Sequence, residues 1–170
     1  PANDKTSIEA LVSRIENWLP EADGVTVSGG EPFDQADALL ALLKAIRERS
    51  STDVLVFTGY PREVVTSRFS EGGGLIDALV TDPFDLRVSQ TLALRGSDNQ
   101  RLHLLTPTGL ARFAEFNGPT ADEARCLDIM FDDNGTVWLA GIPRRGDLAR
   151  LRHLLEEQGH VVVTSDDCHG

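Results

Sequence analysis

The chain has 170 residues, 41% of them hydrophobic and 25% charged, which is typical of a soluble globular domain with its own core. Its net charge of −11 at pH 7 argues against nucleic-acid binding, which requires a basic face. No run approaches the roughly 20 apolar residues that a membrane span needs. Two distant cysteines favour a reducing cytoplasm over a disulfide framework.

Strands and helices alternate through the first two thirds of the chain. The predicted helices cover residues 7–19, 34–49, 61–69 and, more weakly, 108–116, and the predicted strands cover 25–28, 53–58, 79–81 and 101–106. Successive strand–helix–strand units form right-handed crossovers, so this order predicts an α/β fold with a parallel sheet.

The pattern changes after Gly118. The predicted elements of this part are a strand at 127–131, an Asn-Gly turn within 132–135, a strand at 136–140, a helix from Asp147 to Gln158 and a strand at 160–164. We therefore expect a main part at 1–117 and a C-terminal extension of β-hairpin, helix and strand at 118–170.

The most informative segment is 25–35, Val-Thr-Val-Ser-Gly-Gly-Glu-Pro-Phe-Asp-Gln. A β-branched strand ends there in Gly29 and Gly30, and the acidic Glu31 follows. Open α/β sheets and barrels bind ligands at this carboxyl end of their strands. Glycines let a ligand touch the backbone, and a carboxylate accepts hydrogen bonds from an ammonium group. The segment therefore predicts a site for a ligand that carries an amino group.

Ser28-Gly29-Gly30-Glu31-Pro32 resembles the Gly-Gly-Glu motif of radical S-adenosylmethionine (SAM) enzymes. The wider segment 27–35 resembles the activating enzymes of pyruvate formate-lyase and anaerobic ribonucleotide reductase. Three later segments continue the likeness, the first of them Thr-Gly-Tyr at 58–60. The second is Asp-Pro-Phe at 82–84, where these activases usually carry Asp-Gly-Pro-Phe. The third is Leu-Arg-Gly-Ser-Asp-Asn-Gln-Arg at 94–101, which is similar to their Arg-Gly-Ser-x-Asn-Gln-Arg signature. The likeness covers roughly residues 20 to 105.

The resemblance implies a fold and an activity. The fold is a partial (β/α) barrel over residues 1–117, lacking its first strand and its cluster loop. The activity is the reductive cleavage of SAM to a 5′-deoxyadenosyl radical, which removes a hydrogen atom from a glycine of a partner protein. The implied cofactors are SAM and a [4Fe-4S] cluster, and the implied partners are a glycyl-radical enzyme and an electron donor such as flavodoxin or ferredoxin.

The resemblance also implies roles for individual residues. The expected SAM-binding residues are Ser28, Gly29, Gly30, Glu31, Thr58 and Asp82. Among them Glu31 is expected to hold the amino group, Thr58 to lie near the methionine part and Asp82 to bind the ribose. The residues expected in the wall of the active site are Arg95, Ser97, Asn99 and Gln100. A strand-to-helix turn at the glycines, a turn or cap at Asp82 and an exposed polar loop at 95–101 are the structural alternatives.

The defining Cys-x-x-x-Cys-x-x-Cys element of these enzymes is missing from this chain. Its cysteines are Cys126 and Cys168, which are far apart and both follow the matching region. Because iron–sulfur clusters are held by Cys thiolates, these two cannot build a cluster of that type. We expect the chain to lack an N-terminal segment that carries the cluster loop, the alternative being a relative that has lost its cluster. No residue of this chain is predicted to be catalytic or to bind metal, and the chain alone is expected to be inactive.

Two further functions stay open at this point. One is a non-catalytic module that binds SAM or a nucleotide, or that mediates a protein interaction. The other is a radical SAM enzyme that acts on a peptide or a small molecule, because the Gly-Gly-Glu motif is shared across the superfamily.

Overall fold

The computed structural model of the chain describes residues 5–69, 73–119, 127–131 and 137–159. The chain divides into two compact units, Pro1–Pro119 and Thr120–Gly170. None of the helices in these described ranges combines the length and the apolar character that crossing a membrane requires.

The first unit alternates helices and strands close to the predicted positions. In chain order its elements are α1 (Ile8–Ile15), β1 (Gly24–Val27), α2 (Ala36–Arg49), β2 (Asp53–Phe57), α3 (Arg62–Arg68), β3 (Ala78–Thr81), β4 (Arg101–Leu104) and α4 (Pro107–Phe113). Helix α2 begins two residues later than predicted, because Pro32–Gln35 form a 3₁₀ turn. The side chain of Glu31 caps this turn by accepting a hydrogen bond from the backbone N–H of Phe33.

The four strands form one sheet in the order β1-β2-β3-β4. Strands β1, β2 and β3 are parallel, whereas β4 runs antiparallel to β3, with Thr81 opposite Arg101. The prediction of a parallel sheet is therefore wrong for β4. The reason lies in residues 82–100, which contain no helix and re-enter the sheet at the same end of the strands at which β3 leaves it. For β4 to be parallel to β3, the chain would have to cross over to the opposite end of the strands before entering β4.

Helices cover both faces of this sheet. Helices α1, α2 and α3 pack on the face that carries Val54, Val56 and Leu79. Helix α4 packs on the opposite face, beside Leu55 and Val80. In a (β/α) barrel all helices lie outside the ring of strands. Because α4 occupies the face that would be the barrel interior, the structure shows a mixed α/β sheet and does not confirm the partial barrel.

The second unit contains a β-hairpin and a helix where the sequence predicts them. Strand β5 (Leu127–Phe131) pairs antiparallel with β6 (Val137–Gly141), and α5 (Asp147–Glu157) follows. Gly146 precedes α5 with a φ of 90°, a left-handed conformation that glycine adopts readily. The predicted turn at 132–135 and the predicted strand at 160–164 lie outside the described residues.

Candidate ligand site

Three loops meet at the carboxyl edge of the parallel strands. They begin at Ser28 after β1, at Thr58 after β2 and at Asp82 after β3. Since β1, β2 and β3 run in the same direction, the three loops leave the sheet at the same end of the strands. The structure therefore brings the three SAM-binding segments predicted from the sequence to one edge.

The two glycines after β1 provide an open stretch of backbone. Gly29 has a φ of 89° and Gly30 a φ of 54°, both in the left-handed region that favours glycine. Among the described residues, apart from the chain neighbours, no atom lies within 4 Å of a Cβ added to Gly29 or Gly30, and Ser28, Gly29 and Gly30 are all exposed. A ligand can therefore approach the backbone here without displacing a side chain.

Glu31 joins the first loop to the second. Its Oε1 accepts hydrogen bonds from the N–H of Phe33 at 3.1 Å and from the hydroxyl of Thr58 at 2.7 Å. Its Oε2 accepts one from the N–H of Gly59 at 2.9 Å. A carboxylate has about four lone-pair positions, so Oε2, with one donor from the described part of the chain, retains a position for a ligand donor. Thr58 itself is buried, and its role in the structure is to hold Glu31.

Tyr60 links the second loop to both neighbours. Its hydroxyl donates a 2.7 Å hydrogen bond to Asp34, and its carbonyl accepts a 3.0 Å bond from the N–H of Asp82. The sequence did not indicate this linking role. An aromatic residue directly after the Thr-Gly turn was the only signal, and it fitted an ordinary turn equally well.

Asp82 is held in an unusual conformation. Its φ is 79°, a backbone angle that residues other than glycine rarely adopt, although Asp tolerates it better than most. Arg101 donates two hydrogen bonds to its carboxylate, from Nε at 2.7 Å and from Nη2 at 3.1 Å, and the Thr81 hydroxyl donates a third at 2.8 Å. The hydrogen bond from Arg101 is the main reason that the pKa of Asp82 lies below its ordinary value, although burial opposes it. Asp82 is thus a fixed anion at the site edge.

His103 on β4 adds a neutral group that the sequence analysis did not predict. Its Nε2 lies 3.0 Å from the Thr81 hydroxyl, and its Nδ1 lies 3.4 Å from Nη1 of Arg62. Because Thr81 donates to Asp82, Nε2 must carry the proton that Thr81 accepts, and Nδ1 is the acceptor. Burial, followed by the charges of Arg62 and Arg101, lowers the pKa of His103. The ring therefore completes a hydrogen-bonded chain from α3 to Asp82.

The four predicted wall residues are bonded within the loop 82–100 and to the segment after α4. Arg95 and Ser97 are buried. Arg95 donates to the carbonyls of Ala93 and Phe116 and to the side chain of Asn117, and burial lowers its pKa. The side chains of Ser97, Asn99 and Gln100 form hydrogen bonds with the backbone of the same loop. Their partners include Asp82, Pro83, Asp85 and Gly96. Their observed contacts are structural, and contact with a ligand stays a prediction.

Further buried charges lie at the opposite, amino ends of the strands. Asp77, before β3, accepts hydrogen bonds from Arg47 at 2.5 Å, from the N–H of Val54 at 2.9 Å and from Thr106. Burial alone would raise the pKa of Asp77, but the bonds from Thr106 and Arg47 outweigh it and the pKa is lowered. These groups tie α2 and α4 to the sheet, away from the candidate ligand site.

The residues present do not fit an iron–sulfur cluster. Among the described residues there is no group of three or more His, Cys, Asp or Glu side chains that could hold a metal ion. The two cysteines of the sequence, Cys126 and Cys168, lie outside the described ranges. Since a [4Fe-4S] cluster is held by several Cys thiolates, no residue at the sheet edge can serve as its ligand.

Comparison with known protein families agrees with the cluster-related part of the prediction. Residues 2–103, more than half of the chain, match the family of 4Fe-4S single cluster domains. The chain belongs to this family, which is compatible with a redox enzyme. The match ends before Cys126, so the matched residues contain no cysteine at all. No curated protein and no solved structure matches the chain.

Proposed function

We propose that this chain binds SAM at the carboxyl edge of β1, β2 and β3 and belongs to a radical SAM enzyme. The observation that carries the proposal is the open, left-handed backbone at Gly29 and Gly30 beside Glu31, in a chain of the 4Fe-4S single cluster family. An exposed backbone next to a carboxylate is the arrangement that an amino-acid ammonium group needs.

The positions of the two carboxylates suit an elongated ligand. Glu31 follows β1 and Asp82 follows β3, and one strand, β2, lies between them. Two strand spacings amount to about 10 Å. In the proposal the amino group of SAM donates to Oε2 of Glu31, and the ribose hydroxyls reach Oδ1 of Asp82. Each of these oxygens accepts a single hydrogen bond from the described part of the chain.

The proposed target is a glycyl-radical enzyme, and the support for this is the order of the four motif segments. In radical SAM enzymes a reduced [4Fe-4S] cluster supplies the electron that cleaves SAM. Residues 2–103 have no cysteine, so we assign to this chain the binding and orientation of SAM and no electron-transfer step.

Isothermal titration calorimetry of the 170-residue chain with SAM tests the proposal. We expect measurable binding that Gly30→Val abolishes, because the valine side chain would fill the space that the ligand needs. Gly74→Val is the matched control, since Gly74 also has a positive φ, 82°, and open surroundings but precedes β3 at the other end. Equal affinity of the Gly30 and Gly74 variants, or no binding by the wild-type chain, would contradict the site.

The absence of cysteine from the matched residues favours a second candidate, a module that binds SAM or a nucleotide without a cluster. The two candidates differ in the gene, upstream of the codon for Pro1. A Cys-x-x-x-Cys-x-x-Cys motif in the same reading frame would support the radical SAM enzyme. A reading frame that begins without one would support the cluster-free module.

A further inference from the structure

We infer that Ser97, Asn99, Gln100 and Arg101, together called the clasp, position the carboxylate of Asp82 for a ribose hydroxyl, with Gln100 as the central positioning residue. The inference rests on the proposed function. It gives individual roles to Ser97, Asn99 and Gln100, which the sequence places in an active-site wall, and adds Arg101.

The clasp binds successive positions of the chain after β3. Arg101 holds the side chain of Asp82, and Nε2 of Gln100 donates to the Asp82 carbonyl at 3.2 Å. Nδ2 of Asn99 donates to the carbonyl of Pro83 at 2.8 Å, and the hydroxyl of Ser97 accepts from the N–H of Asp85 at 3.0 Å. Phe84 lies between Pro83 and Asp85; its ring is 56% exposed, with one edge beside Gly96, where an added Cβ would be 3.0 Å from the ring.

Gln100 uses both ends of its amide. Its Oε1 accepts hydrogen bonds from the N–H of Gly96 at 2.8 Å and of Ser97 at 3.3 Å, while its Nε2 donates to Asp82. A glutamate could accept the first two bonds but could not donate the third. The amide is therefore the group that connects the turn at 96–100 to the Asp82 backbone.

The strained backbone of Asp82 explains why a clasp is needed. A left-handed φ outside glycine is strained and persists only where surrounding contacts enforce it. Here the N–H of Asp82 donates to Tyr60, its carbonyl accepts from Gln100, and its carboxylate accepts from Arg101 and Thr81. Such over-determined residues cluster at functional sites.

The hydrogen bonds leave one part of the Asp82 carboxylate available. Oδ2 accepts from Nε of Arg101 and from Thr81, whereas Oδ1 accepts only from Nη2 of Arg101 within the described part of the chain. Oδ1 therefore retains an acceptor position, and its direction depends on the backbone angle that the clasp enforces. Loss of the clasp should weaken contacts to ribose hydroxyls and leave contacts to the methionine end unchanged.

The test compares SAM with its 2′,3′-dideoxy analogue in calorimetry of the full 170-residue chain. Gln100→Glu removes the donor to the Asp82 carbonyl and adds a negative charge, and we expect SAM affinity to fall about tenfold, the effect of one lost hydrogen bond. The affinity for the dideoxy analogue should not change. Gln158→Glu is the control, since it adds the same charge at an exposed residue of the second unit.

The outcomes separate the two proposals. One contrary outcome is that the wild-type chain binds SAM while Gln100→Glu retains full affinity or loses affinity equally for SAM and the dideoxy analogue. Either result overturns the positioning role and leaves the SAM site intact. Wild-type chain that binds neither ligand overturns the proposed function. Hydrogen exchange of the Asp85 amide, which the clasp protects through Ser97, then reports whether the clasp itself forms.

Discussion

The hydroxyl of Thr58 donates a 2.7 Å hydrogen bond to Oε1 of Glu31, and this bond joins the loop after β2 to the loop after β1. The same hydroxyl accepts a 3.0 Å bond from the N–H of Tyr60. Tyr60 in turn bonds Asp82, so one buried threonine connects all three loops of the candidate ligand site. The site is therefore a single network, and its parts should respond together to a change in any of them.

Replacing Thr58 with valine tests this network. Valine has a similar shape but no hydroxyl, so Glu31 loses one donor and the N–H of Tyr60 loses its acceptor. We expect a loss of about 1 kcal/mol in the free energy of unfolding, because Glu31 and the half-buried N–H of Tyr60 each lose a hydrogen bond to the Thr58 hydroxyl. We also expect weaker SAM binding. Thr58→Ser keeps the hydroxyl and serves as control. Wild-type stability in Thr58→Val, measured by urea unfolding, would show that the bond is not formed.

His103 predicts a pH dependence of stability. Its pKa is lowered in the folded chain by burial and by Arg62 and Arg101, which outweigh the acidic Glu63 and Asp82. The unfolded chain, with an ordinary histidine pKa of about 6.5, therefore takes up the proton first as pH falls. The stabilising contribution is complete above pH 6.5 or so and is lost progressively below it.

The measurement is the free energy of unfolding in urea between about pH 7.5 and 5. His103→Gln should flatten this part of the stability curve, because glutamine carries no titrating proton. His153→Gln, at an exposed position of α5, is the comparison variant, since it replaces another histidine outside the network around Asp82. A wild-type curve that does not decline below pH 6.5 would contradict the burial of a neutral His103.

The left-handed backbone of Asp82 predicts an unusual order of stabilities. Both Asp82→Gly and Asp82→Ala lose the bonds to Arg101, but only glycine adopts a φ of 79° without strain. We therefore expect the alanine variant to be less stable than the glycine variant by about 1 kcal/mol. At Asp85, where φ is not positive, the order should reverse, since glycine loses more entropy on folding. Urea unfolding of the four variants decides the matter.

Strand and helix positions were predictable because they depend on local periodicity. The alternation from α1 to β3 and the hairpin of β5 and β6 all occur near the predicted residues. The direction of β4 was not predictable in the same way. It depends on whether residues 82–100 cross the sheet, and a loop rich in polar side chains has no periodicity that shows its path.

The candidate site was predictable in its location and not in its internal bonding. The edge that carries Gly30 follows from the rule that parallel strands bind ligands at their carboxyl ends. Arg95 illustrates the limit. Arginine is rarely fully buried, yet Arg95 is 3% exposed, with hydrogen bonds to carbonyls and an amide and with the charge of Asp98 nearby. A polar residue that satisfies the backbone of a long loop and one that contacts a ligand look alike in sequence.

The final prediction concerns the iron–sulfur cluster of the family. Anaerobic reconstitution of the 170-residue chain with iron and sulfide should give no stable [4Fe-4S] absorption, because residues 2–103 contain no cysteine and a cluster needs several thiolates. Cys126→Ser and Cys168→Ser should behave as the wild type. SAM binding should persist in the same cluster-free samples, since Glu31 and the glycine backbone need no iron. A stoichiometric cluster that disappears in either cysteine variant would show that Cys126 or Cys168 serves as a ligand, and the separation of SAM binding from cluster binding would then be wrong.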